Sequence, residues 1–346
     1  MVKIGINGFG RVGRLLVRIA LEQCGKGTAG SDLPIVSIVN DPNLSPQCMG
    51  YLFKQDTFYG TFKKDIVELD NCILVDGQRI EAVQETDLTK IPWNKHCPVE
   101  YIVDTTGEHT TCRSASMHLR DGIKAAIVTG NSDIPIFIMG VNHTCYKPDM
   151  KTVSVSSPSM NCLTAMLRVV HENFKVERAM ATAIHPISNS DKILDDITGS
   201  VCRESRSAII NFMPVRSAAP GRYVSRVMPE LEGKVESTAV KIPVPCIGAV
   251  DLTVMLGKEI TYDLVGAKIK EAADCYMKGV IRYSAEDLAS SDIIGDPHSC
   301  VFDAKAGVGL QKNIVNLFSW YDAEYAFAHR LYDMVKYIAS REVCVK

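Results

Sequence analysis

Ile4-Gly5-Ile6-Asn7-Gly8-Phe9-Gly10-Arg11-Val12-Gly13-Arg14 decides the fold of this chain. Val2 to Asn7 reads as a short buried strand. Leu15, Leu16, Ile19 and Ala20 recur at helical spacing, which predicts a helix over Arg11 to Gln23 ended by Gly25. Gly8, Gly10 and Gly13 form G-x-G-x-x-G at the turn between the two. A glycine turn there lets the backbone approach a pyrophosphate, and the helix start offers free N–H donors and the positive end of its dipole. Arg11 and Val12 fill the two variable positions.

Working outward, Gly25 to Asp32 is a polar loop. Ile35 to Val39 is a second apolar strand ending in Asn40-Asp41-Pro42. Strand, helix and strand make one βαβ unit and predict a parallel sheet. A carboxylate at Asp41 accepts from a ribose 2′-hydroxyl and repels a 2′-phosphate, and no Arg or Lys follows to reward that phosphate. The site is therefore read as an NAD site rather than an NADP site. The distance from Gly13 to Asp41 exceeds the usual ~20 residues; the polar loop absorbs the excess.

Further strands are expected at Ile73 to Val75, Tyr101 to Val103, Ala126 to Val128 and Thr152 to Val155. After Pro158 the texture changes. A helix pattern runs from Ser159 to about Phe174. The alternation in runs such as Ala239 to Pro243 and Ala249 to Met255 predicts a mostly antiparallel second sheet. Tyr321 to Ser340 reads as a long helix with Phe327, Leu331, Met334 and Ile338 on one face. The expected architecture is α/β: a Rossmann NAD-binding domain over 1–157 and an α+β substrate domain over 158–321. The C-terminal helix, 322–346, is expected to return to the first domain.

Composition limits the alternatives. Of 346 residues, 46% are apolar and 23% charged, the balance of a folded globular protein with a sizeable core. A net charge of −2 supplies no global attraction to nucleic acid or anionic membrane. No apolar run reaches the length of a transmembrane helix. Met1-Val2-Lys3 leads directly into a strand, so no secretory leader is expected. The 12 cysteines show no C-x-x-C pair and no metal spacing. They read as reduced, mostly buried thiols of a cytoplasmic protein, with no metal site.

Taken together, Ile4 to Arg14 and Val39-Asn40-Asp41-Pro42 resemble the glyceraldehyde-3-phosphate dehydrogenase family. So do Met139 to His143, Pro229-Glu230-Leu231, Val250-Asp251-Leu252-Thr253 and Ser319-Trp320-Tyr321-Asp322. These matches follow the family order over nearly the whole chain. The resemblance implies a homotetramer, and a reaction in which a cysteine thiolate attacks an aldehyde and a histidine takes the proton. Hydride then passes to NAD, and phosphate releases the acyl group.

The nucleophile lies in the family motif Ser-Cys-Thr-Thr-Asn-Cys-Leu, matched here by Ser157-Pro158-Ser159-Met160-Asn161-Cys162-Leu163. Pro158 occupies the nucleophile's position. Proline suits the first turn of a helix, with Ser157 as N-cap, but carries no nucleophile. His185 matches the catalytic histidine. Ser157, Ser159, Ser188, Ser190 and Lys241 match positions that contact phosphate, with Lys241 replacing an arginine and losing its two-pronged fork. Thr129 and Ala323 match cofactor contacts. Ala323 stands where an asparagine holds the nicotinamide carboxamide, and Phe327 replaces a tyrosine nearby.

The leading expectation is an NAD-binding homologue whose catalysis is impaired or absent. Its ancestral substrate is a small phosphorylated aldehyde, and it assembles as a homotetramer or mixed with an active relative. The alternative is an active phosphorylating dehydrogenase of glycolysis using another nucleophile. A scaffold for RNA or protein is a third reading, for which the sequence offers no basic stripe or aromatic ladder.

Overall fold

The computed structural model describes residues 2–26, 33–95, 97–130, 133–197 and 202–343. The chain divides into two units. The first comprises Met1–Phe137, His143–Ser156 and Ala328–Lys346; the second comprises Ile138–Asn142 and Ser157–Phe327.

In the first unit, apolar runs form central strands buried on both faces, as sheets covered by helices require, and more exposed strands extend the sheet at one side. The strands are β1 Lys3–Asn7, β2 Ile35–Asn40, β3 Ile66–Glu68, β4 Cys72–Val75, β5 Gln78–Val83, β6 Tyr101–Asp104, β7 Ala125–Val128 and β8 Thr152–Ser154. Their order is β3-β4-β5-β2-β1-β6-β7-β8. The pairings from β5 through β8 are parallel, while β3-β4 and β4-β5 are antiparallel, so the sheet is mixed. Ile4, Ile6, Val36, Ile38, Ile102, Val103 and Ile127 form its interior. The chain order reverses between β2-β1 and β1-β6, the place where doubly wound sheets open a ligand crevice.

Helix α1 spans Arg11–Lys26 and α2 spans Pro46–Lys54, the latter capped by Ser45 with Pro46 at its start. The single turn Cys112–Ala115 is α3. Helix α1 continues through Gly25 rather than ending there. Glycine lowers helix stability by only about 1 kcal/mol, and Lys26 after it is still helical. Of the polar loop expected over 25–32, residues 27–32 lie outside those described.

The second unit begins with α4, Pro158–Phe174, and includes the short α5, Val224–Val227, and α6, Tyr262–Asp274, capped by Thr261. Its strands are β9 Val176–Ile187, β10 Met213–Pro214, β11 Val235–Pro245, β12 Ile247–Leu256, β13 Ile281–Ser284, β14 Cys300–Gln311 and β15 Ile314–Asp322. They run in the order β10-β11-β9-β12-β15-β14-β13. Four of the pairings are antiparallel; β11-β9 and β13-β14 are parallel.

Helix α7 spans Tyr325–Val343 and not Tyr321 to Ser340. Tyr321 and Asp322 belong to β15, paired with Gly248 and Ile247. The Asp322 carboxylate then accepts from the N–H groups of Glu324 and Tyr325, which sets the start of the helix. Further along, the Tyr332 hydroxyl donates to the carbonyl of Pro34, and the Glu342 carboxylate accepts from Tyr101. The expected span of this segment reached 346; residues 344–346 lie outside those described.

Candidate functional site

The glycine turn has the geometry its sequence requires. Gly8 sits at φ +94°, in the left-handed region that glycine tolerates. A Cβ on Gly13 would fall 2.2 Å from the carbonyl oxygen of Gly8, so helix and turn meet backbone to backbone. A Cβ on Gly10 would meet nothing within 4 Å, and Gly10 is exposed. That open face lies at the start of α1, where orphan N–H groups collect. The Arg11 guanidinium is drawn aside, 3.6 Å from the Asp56 carboxylate and over the rings of Phe58 and Tyr59. The Arg11 side chain is thus turned to Asp56 and its neighbouring rings rather than to the open face of the turn.

Asp41 stands at this turn. One carboxylate oxygen accepts from Phe9 N–H at 2.9 Å and the other from Asn43 N–H at 3.0 Å. Each oxygen keeps a lone pair for a hydroxyl donor. Below the turn, buried polar side chains tie the strand ends together. Asn40 donates to Asn7 at 2.9 Å, and Asn7 to Asp104 at 2.8 Å. His118 lies 3.0 Å from the same Asp104 oxygen. Burial works against ionised Asp104, but hydrogen bonds from His118, Thr106 and Asn7 outweigh it and hold the carboxyl below its ordinary value. Sequence reasoning missed this network, because its members are brought together by the pairing of β2, β1 and β6 and by the turn at 116–118 that carries His118. Thr129 follows β7 and is half-buried.

The second unit carries the residues singled out as candidates for the chemistry. Pro158 is the first residue of α4. Ser157, at φ −132°, accepts from Met160 N–H through its side chain at 3.4 Å, and its carbonyl accepts from the Asn161 side chain at 2.9 Å. Ser157 Oγ lies 3.4 Å from the buried Ser159 Oγ. Cys162, one turn further on, is fully buried beside Cys300, and burial pushes its thiol well above the ordinary value. A thiol so held is a poor source of thiolate.

His185 lies near the end of β9. Its Nε2 is 3.2 Å from the carbonyl oxygen of Ala218, which can only accept, so Nε2 carries the hydrogen. Its Nδ1 faces the Tyr321 hydroxyl at 3.2 Å. Both ring nitrogens are engaged by the protein. Burial lowers the imidazole's affinity for a second proton; the Ala218 bond opposes it in part, and the charge of Lys241 adds a smaller push in the same direction as burial.

Lys241 stands directly beside His185, its partner in the parallel pairing of β11 with β9. Its ammonium is bound to the carboxylate of Asp191. Ser188 and Ser190 follow β9, with their hydroxyls 3.0 Å apart. The fold thus gathers His185, Ser188, Ser190 and Lys241 at one corner of the second sheet. Asp191 belongs with them and was not singled out from the sequence, although its place one residue after Ser190 was the available signal. Ala323 lies in the turn from β15 to α7, its N–H donating to Cys246 at 2.8 Å. Its methyl group offers no hydrogen bond.

Comparison with known proteins identifies the lineage. The model of the NAD-binding domain of glyceraldehyde 3-phosphate dehydrogenase matches residues 2–112, and that of the C-terminal domain matches 157–323. Glyceraldehyde-3-phosphate dehydrogenase of Glossina morsitans morsitans is 41% identical over 343 residues, 99% of this chain and 100% of its own. Glyceraldehyde-3-phosphate dehydrogenase 2 of Drosophila melanogaster is 40% identical over the same length and coverage. Glyceraldehyde-3-phosphate dehydrogenase 1 of Trichoderma koningii is 39% identical over 341 residues, 98% of each chain.

Proposed function

The chain belongs to the glyceraldehyde-3-phosphate dehydrogenase family, and NAD is its cofactor; from that premise we propose that it binds NAD without performing the family's phosphorylating oxidation. One observation carries the reading: the first position of α4, where the resemblance puts the thiol nucleophile, is Pro158. A proline ring has no group that attacks a carbonyl. The neighbours offer no substitute. Ser157 caps the helix, Ser159 is buried and Cys162 is buried with a raised thiol. His185 has no nucleophile to deprotonate and holds protein partners at both nitrogens.

The dinucleotide fits the first unit. The open face of Gly10, the backbone N–H groups of Arg11 and Val12, and the free lone pairs of Asp41 match a pyrophosphate and a ribose. NAD, when bound, is a two-electron acceptor. Thr129 and Ala323 complete the proposed cofactor set, and Ala323 makes the nicotinamide end the weak one. Adenine-side contacts then carry most of the affinity, and ADP-ribose binds about as tightly as NAD.

The ancestral substrate is a small phosphorylated aldehyde, its phosphate taken by Ser157, Ser159, Ser188, Ser190 and Lys241. We assign the protein to the cytoplasm. Among the described residues no helix is long and apolar enough to cross a membrane. A homotetramer, alone or mixed with an active relative, would cover the exposed Ile193, Leu194, Ile197, Ile209, Ile210 and Phe212.

Intact-protein mass spectrometry tests the proposal. With glyceraldehyde 3-phosphate and NAD but no inorganic phosphate, an active family member accumulates an acyl adduct, and this protein is expected to acquire none. An adduct on Ser157, Ser159 or Cys162 would establish the active alternative.

A further inference from the structure

Asp191 makes more contacts than a surface ion pair would. One carboxylate oxygen accepts from Ser188 N–H at 2.7 Å and from Ser188 Oγ–H at 2.8 Å. The other binds the Lys241 ammonium. The Asp191 N–H in turn donates to the Ser188 carbonyl at 3.0 Å, closing the loop after β9 into a turn. The side chains of Asp191 and Lys241 are only 10% and 17% exposed, so water and salt screen the pair less than a rim pair. Burial disfavours the ionised carboxyl, yet the bonds from Lys241 and Ser188 hold it below its ordinary value.

The donors that meet this carboxylate are a cation, a hydroxyl and a backbone N–H. They are the kinds of donor that recognise a phosphate monoester. We propose that Asp191 is a specificity-determining residue whose carboxylate fills, from within the chain, the anion position of the Ser188–Ser190–Lys241 subsite and closes it to phosphate monoesters. The inference rests on the assignment of those three residues to substrate phosphate made above. An incoming phosphate finds the ammonium already neutralised, the Ser188 donors committed and a fixed negative charge in its place. Ligands compatible with this corner are uncharged at the group they place there.

Glycerol 3-phosphate is the probe, because it carries the phosphate without a reactive aldehyde. Its binding is measured by calorimetry on the full chain, with ADP-ribose binding as the check of folding. Asp191→Asn keeps the side-chain shape and removes the charge; Asp191→Ser is the second variant, should the amide disturb the turn. The expected result is feeble binding by the native protein, at least about ten-fold tighter binding by Asp191→Asn, and loss of the gain in Asp191→Asn/Lys241→Met. Tight binding by the native protein that Lys241→Met abolishes would overturn the closure while leaving the phosphate subsite standing. Absence of binding in the native protein and in both Asp191 variants would overturn the subsite assignment, and the inference with it. A gain that survives Lys241→Met would place the anion elsewhere and have the same meaning.

Discussion

At residue 158 the helix start is retained, and the proposed loss of chemistry turns on one side chain. Proline needs no hydrogen-bond partner at the first position of α4, and its fixed φ suits the helix. Pro158→Cys would place a thiol at a helix N-terminus, where the dipole favours thiolate. Iodoacetamide is expected to label this cysteine faster than the native ones, followed by mass spectrometry of the peptide. Turnover is expected to stay far below the family's, because His185 is engaged by Ala218 and Tyr321 and Ala323 cannot hold a carboxamide. Ala323→Asn added to Pro158→Cys should raise the rate further; a full family rate from Pro158→Cys alone would show that the change at 323 is neutral. His185 itself should titrate below its ordinary value of 6.5 by NMR, since burial and Lys241 both disfavour its charged form. The unfolded chain binds this proton more readily, so the residue's contribution to stability is present above pH 6.5 and is lost as pH falls. The acid limb of a stability profile should flatten in His185→Gln; an unchanged limb would contradict the assignment.

At the scale of elements, the β1-turn-α1 unit was legible because its determinants are local. Strand, glycines and apolar helical spacing lie within a few residues of one another. The end of α1 and the start of α7 were not, the first because a glycine is a weak stop signal and the second because it depends on a partner strand. Gly25 stays helical since its cost is small, and Tyr321 and Asp322 are claimed by β15 through their pairing with Gly248 and Ile247. The parallel pairing of β11 with β9, which sets Lys241 beside His185, joins segments far apart in sequence and leaves no mark in either. Two glycines of the turn make opposite predictions. Gly10→Ala adds a methyl to open space, so thermal unfolding should change by no more than about 0.5 kcal/mol. ADP-ribose binding should nonetheless weaken, because the methyl stands where the pyrophosphate approaches. Gly13→Ala drives a Cβ against the backbone of Gly8 and should destabilise the unit itself. Equal unfolding temperatures for the two variants would refute the distinction.

At the scale of the whole molecule, the proposed homotetramer would cover the exposed apolar residues Ile193, Leu194, Ile197, Ile209, Ile210 and Phe212. Ile210→Asp with Phe212→Asp should shift sedimentation toward smaller species. An unchanged distribution would remove this segment from the interface. On either side of Pro158 the chain keeps a dinucleotide turn, a helix cap and two sheets. The most direct measurement is steady-state NADH formation from glyceraldehyde 3-phosphate, NAD and phosphate, using protein free of host dehydrogenase. Loss of a nucleophile typically lowers kcat by ~10⁴ to 10⁶, about 5 to 8 kcal/mol of barrier. The account predicts no turnover above that residual level. A kcat above about 1 s⁻¹, the lower end for ordinary enzymes, would contradict it.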